Sequence, residues 1–112
     1  MSEEAYQVVL STCGSMPDAE RIARDLVEKG IAACVNIIPG MRSIYRWKGQ
    51  VEEANEVLMM VKIPADRYRG VEDRIKHLHA YDLPEVIALP VSRGSRKYLR
   101  WLGPASELDS GE

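Results

Sequence analysis

An α+β sandwich is the fold class that this sequence predicts, and two observations predict it. Short runs rich in Val, Ile and Leu alternate with segments whose apolar residues recur every three or four positions, as in strands alternating with amphipathic helices. Between the two helical segments, residues 31–63 favour one very long β-hairpin that turns at Lys48-Gly49. The predicted order is strand, helix, long hairpin, helix, strand and a final short helix.

The first strand and helix have recognisable boundaries. Residues 7–12 (QVVLST) form a short apolar run that ends at small polar residues, which is typical of a core strand. Ser15 is a suitable N-cap for the helix that follows, with Pro17 in its first turn, and Lys29 and Gly30 favour its end. The predicted buried face of this helix comprises Ala19, Ile22, Ala23, Leu26 and Val27.

A second helix and a fourth strand follow the hairpin. Pro64 is predicted to end the hairpin strand, and the helix is expected to begin at residues 65–67 and to end near His79. Residues 85–91 (EVIALPV) are the predicted fourth strand, in which Pro90 favours an edge position or a strand end. The apolar face of the second helix comprises Tyr68, Val71, Ile75 and Leu78.

The C-terminal part is predicted to add one short helix. It covers residues 95–102, and Gly103-Pro104 is expected to end it. Residues 104–112 are expected to form a mobile tail. The chain is therefore predicted to hold a single domain over residues 5–103, since 112 residues with 46% hydrophobic content suffice for one core.

The lengths of the two helical connections predict the topology. Residues 12–31 and 63–85 are both long enough for a right-handed crossover between parallel strands. Two such βαβ halves with an antiparallel pair at their junction describe the split βαβ, ferredoxin-like sandwich. Both helices then cover one face of the sheet. Because apolar residues point to both sides of the strands, the other face is expected to need a partner subunit.

The hairpin is expected to extend beyond its own domain as an arm. If residues 50–63 form one strand, its 14 residues reach roughly 45 Å, whereas a domain of this size has a radius of gyration of roughly 13 Å. The outer part carries Ile44, Trp47 and Val51, which a lone two-stranded ribbon cannot bury. This imbalance predicts a closed homo-oligomer.

Charge and composition argue against several classes of protein. The net charge of -2 and the pI near 5.7 give no reason to expect nucleic-acid binding, and no apolar run is long enough to span a membrane. The acidic N-terminal residues do not resemble a secretory signal, so a cytoplasmic location is expected. Cys13 and Cys34 are accordingly interpreted as reduced thiols, with Cys34 as a small core residue.

Several collinear blocks of sequence resemble the CutA divalent-cation tolerance protein family. The resemblance extends from about Val8 to Trp101. It is carried by residues 26–40 (LVEKGIAACVNIIPG), 43–49 (SIYRWKG), 56–57 (EV), 61–62 (VK), 79–86 (HAYDLPEV) and 98–101 (YLRW).

The resemblance implies an assembly and a function. It implies a ferredoxin-like protomer in a tight homotrimer, with each arm pairing into the neighbour's sheet. It also implies a role in tolerance to copper and other divalent metals. Family members commonly read His-Pro-Tyr-Glu or His-Pro-Tyr-Gln where this chain has His79-Ala80-Tyr81-Asp82.

Candidate metal ligands lie in one predicted loop. Cu(II) and related divalent cations prefer imidazole, thiolate and carboxylate ligands, and His79, Asp82 and Glu85 supply two of these types. We expect a weak surface or intersubunit site rather than a chelating centre, since the chain has no CxxC or HExxH motif. The alternative is that His79, Tyr81 and Asp82 only satisfy backbone groups and shape the turn.

A second set of residues is a candidate intersubunit or anion-binding cleft. Basic groups from different subunits can hold an anionic metabolite, as in a PII-like trimeric sensor, or they can form intersubunit ion pairs. Trp47 and Trp101 can likewise stack on a ligand or pack at an interface. The set comprises Arg46, Trp47, Lys48, Glu56, Tyr81, Arg93 and Trp101.

The sequence offers little support for catalysis. Acylphosphatases share the predicted sandwich, but their anion loop after the first strand has an arginine and repeated glycines, whereas residues 12–16 (TCGSM) contain one glycine and no arginine. Ser11, Cys13 and Ser15 have no evident histidine or acid nearby in sequence that would activate a nucleophile, although the fold could bring one. We therefore expect a protein that is not an enzyme and has no organic cofactor.

Overall fold

The computed structural model describes residues 5–105 of the chain. A short 3-10 turn, Ala65–Arg67, leads into the second α-helix. The strands and α-helices of this described part follow the predicted order: β1 (Tyr6–Cys13), α1 (Met16–Glu28), β2 (Cys34–Trp47), β3 (Gln50–Pro64), α2 (Tyr68–Leu78), β4 (Ile87–Pro90) and α3 (Arg96–Ala105).

The four strands form one sheet in the order β2-β3-β1-β4, and every neighbouring pair is antiparallel. It follows that β1 is parallel to β2, with β3 between them, and that β3 is parallel to β4, with β1 between them. The helical crossovers thus join parallel strands that are not neighbours. This topology confirms the predicted split βαβ, ferredoxin-like sandwich.

The core lies between the two long helices and one face of the sheet. Leu26 of α1, Ile75 of α2 and Met59 of β3 have no solvent-exposed surface. The Ser15 hydroxyl caps α1 by accepting a hydrogen bond from the Asp18 N–H at 3.2 Å, as the sequence predicted. At the other end of α1, Gly30 adopts a φ of 72°, which favours glycine.

An ion pair holds the two helices together. The Arg74 guanidinium donates two hydrogen bonds to the Asp25 carboxylate, at 3.0 and 2.8 Å. This bidentate contact lowers the pKa of Asp25 below its usual value. Arg21 of α1 also donates to the Leu78 carbonyl oxygen at 3.0 Å, which satisfies a backbone acceptor at the C-terminal end of α2.

The hairpin projects beyond the body of the sheet. β1 pairs only with residues 57–64 of β3, so among the described strands the outer half of β3 pairs with β2 alone. We refer to residues 41–56 as the arm. Its tip is a two-residue turn with positive φ at Lys48 (52°) and Gly49 (80°), the pattern of a type I′ turn, and the molecule is 46 Å long. The predicted long hairpin and its turn are therefore both present.

A β-bulge separates the arm from the base of β2. The pairing of Ile38 with Leu58 is followed by the pairing of Met41 with Glu56, so two residues of β2 face one residue of β3. The second of the two, Gly40, has a φ of 83°. Before the bulge, the two residues of each pair are both odd-numbered or both even-numbered. Beyond it, an odd-numbered residue of β2 lies on the same side as an even-numbered residue of β3.

The sheet face away from α1 and α2 is only partly covered. Tyr6, Leu99 and Leu102 form a small apolar cluster where α3 packs on this face. Farther along the same face, Ile87 and Leu89 of β4 are 50% and 48% exposed. These two apolar side chains are therefore only half covered within one chain.

Four details of the sequence prediction were wrong. Val27 is exposed, since it lies about 90° from the centre of the buried face of α1 at 100° per residue. Cys34 is only partly buried, because its side chain points to the open face of the sheet. β4 has four residues rather than seven. α3 continues through Gly103-Pro104 to Ala105, because a glycine before proline lacks the Cβ whose clash with the proline ring disfavours helical geometry. The predicted tail of residues 104–112 therefore begins inside α3, and its remainder, residues 106–112, lies outside the described part.

Replacement of Ser11 by alanine is expected to stabilise the protein. Ser11 is fully buried on the helix-facing side of β1, and its hydroxyl has no hydrogen-bond partner among the described residues. An unsatisfied buried hydroxyl costs free energy, so Ser11→Ala should raise the free energy of unfolding by about 1 kcal/mol. Urea denaturation at a fixed protein concentration measures this change.

The matched control is Ser15→Ala. This variant removes a hydroxyl that caps α1 and should lower the free energy of unfolding by about 1 kcal/mol. A loss of stability in Ser11→Ala as large as that in Ser15→Ala would show that the buried hydroxyl has a partner and would contradict the prediction.

Candidate functional site

A cleft of about 690 Å³ lies between the arm and the loop that joins α2 to β4. β1 contributes its end to the floor, the arm forms one wall, and the loop of residues 79–86 forms the other. The cleft is lined by Thr12, Arg42, Ser43, Ile44, Tyr45, Trp47, Glu56, Tyr81, Asp82, Leu83 and Glu85.

Glu56 joins the two walls of the cleft. Its carboxylate accepts a hydrogen bond from the Tyr81 hydroxyl at 2.8 Å and another from the Ser43 hydroxyl at 2.6 Å. Partial burial and the bond to Glu56 raise the pKa of Tyr81 to about 12, so the phenol stays neutral at physiological pH. A Cβ at Gly14 would lie 3.2 Å from the Tyr81 hydroxyl, so glycine leaves room for this ring.

His79 anchors the loop to the end of β1. Its Nδ1 accepts a hydrogen bond from the Tyr81 backbone N–H at 3.0 Å, and its Nε2 lies 2.6 Å from the Thr12 carbonyl oxygen. A carbonyl oxygen only accepts, so Nε2 carries the proton and the ring is the neutral tautomer. Both nitrogens are therefore used by the main chain, and a metal ion would have to displace one of these bonds.

The fold brings Cys13 next to His79, with 3.8 Å between Sγ and Nε2, although the two residues are 66 positions apart. The pair resembles a nucleophile and its base, but the geometry does not favour that role. Cys13 has no exposed surface, and burial raises the pKa of its thiol to about 11. The Nε2 proton is also directed to Thr12. The thiol is thus a protonated core group.

The charge of the cleft is negative. Arg42 is its only basic lining residue among those that the structure describes, and this guanidinium pairs with Glu53 and donates to the Asn55 side chain at 3.0 Å. The carboxylates of Glu56, Asp82 and Glu85 also line the cleft, and within residues 5–105 none of them forms an ion pair with a basic side chain. Such a cleft attracts cations rather than anions.

The predicted metal ligands are neighbours but do not form a chelating centre. Asp82 and Glu85 line the cleft, and His79 is held beneath the loop by its two backbone contacts. Within residues 5–105, no three His, Cys, Asp or Glu side chains come close enough to one another to hold a metal ion. The expected turn-shaping role of His79 and Tyr81 is visible in the same contacts.

The structure divides the second predicted set. Trp47, Glu56 and Tyr81 line the cleft. Arg46, Lys48, Arg93 and Trp101 lie elsewhere on the surface of the protomer; the Lys48 ammonium is 5.9 Å above the Trp47 ring, and Trp101 packs against Tyr98 with ring centroids 5.7 Å apart. These four residues are therefore not brought together with Tyr81 in one chain.

Sequence reasoning missed several residues of the cleft. Thr12 belongs to it because β1 ends there, and Ser43 and Tyr45 belong to it because the bulge and the pleat of the arm place them on the same side as Glu56. The alternation of Ser43, Tyr45 and Trp47 along one strand was the available signal for a shared side.

Comparisons with known proteins agree on one family. The model of the CutA1 divalent ion tolerance protein family matches residues 7–105. The chain is 49% identical over 96 residues to the divalent-cation tolerance protein CutA of Thermus thermophilus, which covers 86% of this chain and 93% of that protein. It is 47% identical to human protein CutA, over 86% of this chain but only 54% of the human protein.

Solved structures agree with the sequence comparisons. A divalent cation tolerance protein from Thermus thermophilus superposes with a TM-score of 0.87 at 47% identity, over 89% of this chain and 97% of that one. The periplasmic divalent cation tolerance protein CutA of Archaeoglobus fulgidus gives a TM-score of 0.88 at 38% identity, over 91% of this chain and 99% of that one. Among the described residues, none of the helices has the length and apolar character needed to cross a bilayer.

Replacement of Glu56 by glutamine is expected to lower the pKa of Tyr81. The carboxylate favours the neutral phenol, so its loss should move the pKa from about 12 toward 10, with burial keeping it above 10. NMR titration of the tyrosine Cζ signals measures the change. Glu85→Gln is the control, because it removes a carboxylate from the same cleft that does not contact the Tyr81 hydroxyl. Equal pKa values of Tyr81 in the two variants would show that the Tyr81–Glu56 hydrogen bond is absent in solution.

Proposed function

This chain belongs to the CutA1 divalent ion tolerance family, and from this we propose that it binds a divalent cation weakly and acts in the cellular response to metal ions. Copper is the proposed ion, and the cleft between the arm and the 79–86 loop is the proposed place of binding. We further propose that the protein works as a cytoplasmic homotrimer. The carboxylate lining of the cleft is the observation that carries the cation-binding part of the proposal.

The chemistry of the cleft supports a cation. Three carboxylates line it, and its one guanidinium is already paired with Glu53. Carboxylate oxygens are ordinary ligands of divalent cations, and an exposed cleft lets the ion keep part of its water shell. The absence of three converging ligands within residues 5–105 fits weak binding, and His79 would join only if its contact with Thr12 opened.

The trimer is supported by the surfaces that one chain leaves exposed. Ile44 and Val51 on the arm are 66% and 64% exposed, and Ile87 and Leu89 form a second apolar area on the open sheet face. A two-stranded arm with such side chains is marginal by itself in water. Pairing with the neighbouring subunits would cover both areas at once.

The alternative of an anion sensor finds less support. An anionic metabolite would need free basic groups in the cleft, whereas Arg42 is paired and Arg46, Lys48 and Arg93 lie outside it. A catalytic role is likewise not part of the proposal. The only thiol beside an imidazole, in the described part of the chain, belongs to buried Cys13.

Titration with Cu(II) tests the proposed cleft. Calorimetry on the intact protein should give weak, saturable binding, and the double variant Asp82→Asn/Glu85→Gln should weaken it by about tenfold, because each lost carboxylate removes both charge and a ligand. The matched control, Asp66→Asn/Asp73→Asn, removes two charges from exposed positions outside the cleft and should leave the affinity unchanged.

Two results of this titration would count against the cleft. One is equal Cu(II) affinity in the two double variants. The other is saturable nucleotide binding without Cu(II) binding, which would favour the anion sensor. His79→Ala asks a separate question: undiminished Cu(II) affinity in this variant would exclude the imidazole as a ligand and leave the carboxylates as the site.

Introduction of a charge on the arm tests the assembly. Sedimentation at micromolar concentration should give a particle three times the 12.6 kDa mass of the chain. Val51→Glu should release smaller species, because it would bury a carboxylate at the interface. Since Val51 pairs with Arg46 across the arm, the new carboxylate would lie opposite a guanidinium and should not disturb the hairpin itself.

The control is Val27→Glu, which places the same charge at an exposed valine of α1 and should leave the assembly intact. A 12.6 kDa particle for the unmodified protein would overturn the trimer.

A further inference from the structure

The cleft combines aromatic rings with carboxylates, and a bare metal ion uses only the second of these. Tyr45, Trp47 and Tyr81 line it with exposed fractions of 44%, 44% and 38%, so their ring surfaces are accessible in the protomer. We propose that this cleft also binds a small organic ammonium ion, held between the aromatic rings and the carboxylates of Glu56 and Asp82. This proposal goes beyond metal binding and does not depend on it.

The volume and the charge of the cleft suit such a ligand. A cleft of about 690 Å³ is within the range of small-molecule sites, roughly 300–1,000 Å³. Its carboxylates supply the negative charge, while Arg42, the one basic lining residue among those that the structure describes, is already paired with Glu53 and Asn55. The field in the cleft thus favours a cation of this size.

The ring of Trp47 already interacts with an ammonium group of the chain itself. The Lys48 Nζ lies 5.9 Å from the centroid of the Trp47 ring, within the distance at which a cation is attracted to an aromatic face. This contact is independent of the acidic residues, and a bound organic ammonium would take the place of the Lys48 ammonium at this ring. Tyr81 is held in place by Glu56, so a second ring is fixed opposite the arm.

An organic ammonium fits the arrangement better than a desolvated metal ion does. Aromatic faces offer a metal ion no oxygen or nitrogen ligand, and within the described residues no three side chains converge for chelation. A methylated or alkylated ammonium needs no fixed coordination geometry and gains from both the rings and the carboxylates. Thr12, which is 5% exposed, adds a small polar floor.

Tetramethylammonium chloride is the probe for the first test, with tert-butanol as the neutral molecule of similar shape. The chain has two tryptophans, so two indole N–H signals are expected in a nitrogen–proton correlation spectrum of the intact protein. Tetramethylammonium should shift the Trp47 signal in a saturable way and leave Trp101 unchanged. Sodium chloride at equal concentration controls for ionic strength.

Variants connect the signal with the proposed contacts. Trp47→Leu identifies the indole signal by its loss, and by calorimetry it should weaken tetramethylammonium binding about tenfold, as expected for loss of a cation–π contact. Glu56→Gln should weaken the binding severalfold, whereas Trp101→Leu and Asp73→Asn should not change it.

Three outcomes would overturn the proposal. They are equal effects of tert-butanol and tetramethylammonium, unchanged tetramethylammonium affinity in Trp47→Leu, and a Trp47 signal that does not saturate at tens of millimolar tetramethylammonium.

The outcome can be separated from that of the metal proposal. Failure of tetramethylammonium to bind leaves the Cu(II) titration unaffected, because that titration does not involve the rings. Conversely, tetramethylammonium binding without Cu(II) binding would support the ammonium site and overturn the metal function of the cleft.

Discussion

Strand β3 is the element on which the rest of the structure depends. Its inner half is hydrogen-bonded to β1 and β2, and Val57, Met59, Val61 and Ile63 on this half point into the core. Its outer half has only β2 as a neighbour and carries the arm. One continuous strand therefore ties the exposed arm rigidly to the most buried part of the molecule.

The cleft arises where β1 stops and β3 continues. Cys13 pairs with Val57, the last contact between these strands, and the next residue of β3 toward the tip is Glu56. The loop after α2 fills part of the space that β1 leaves, with His79 bound to the end of β1 and Tyr81 bound to Glu56. The cleft thus exists because β3 is longer than β1. The position of the Glu56 carboxylate is fixed by the pairing of β1 with β3 in the core.

Local signals in the sequence were sufficient for the architecture but not for the chemistry of the cleft. The caps at Ser15 and Gly30 and the turn at Lys48-Gly49 were predictable because each depends on residues next to one another. The pairing of Arg42 with Glu53 depends on strand register, and the contact between Cys13 and His79 depends on how the loop after α2 packs against the end of β1. Neither can be read from short-range sequence patterns. The bulge at Pro39-Gly40 was also missed, and it decides which side chains of β2 lie on the same side of the arm as Glu56.

The pleat of the arm limits how its length can change during evolution. Ser43, Tyr45 and Trp47 lie on the same side of the arm as Glu56 only if the number of residues between them and the bulge changes in steps of two. An insertion of one residue in each strand below Ser43 would preserve the pairing yet rotate these side chains to the opposite surface. Relatives that retain this constellation should therefore gain or lose arm residues four at a time, two on each strand, and each such step would move the tip by about 7 Å.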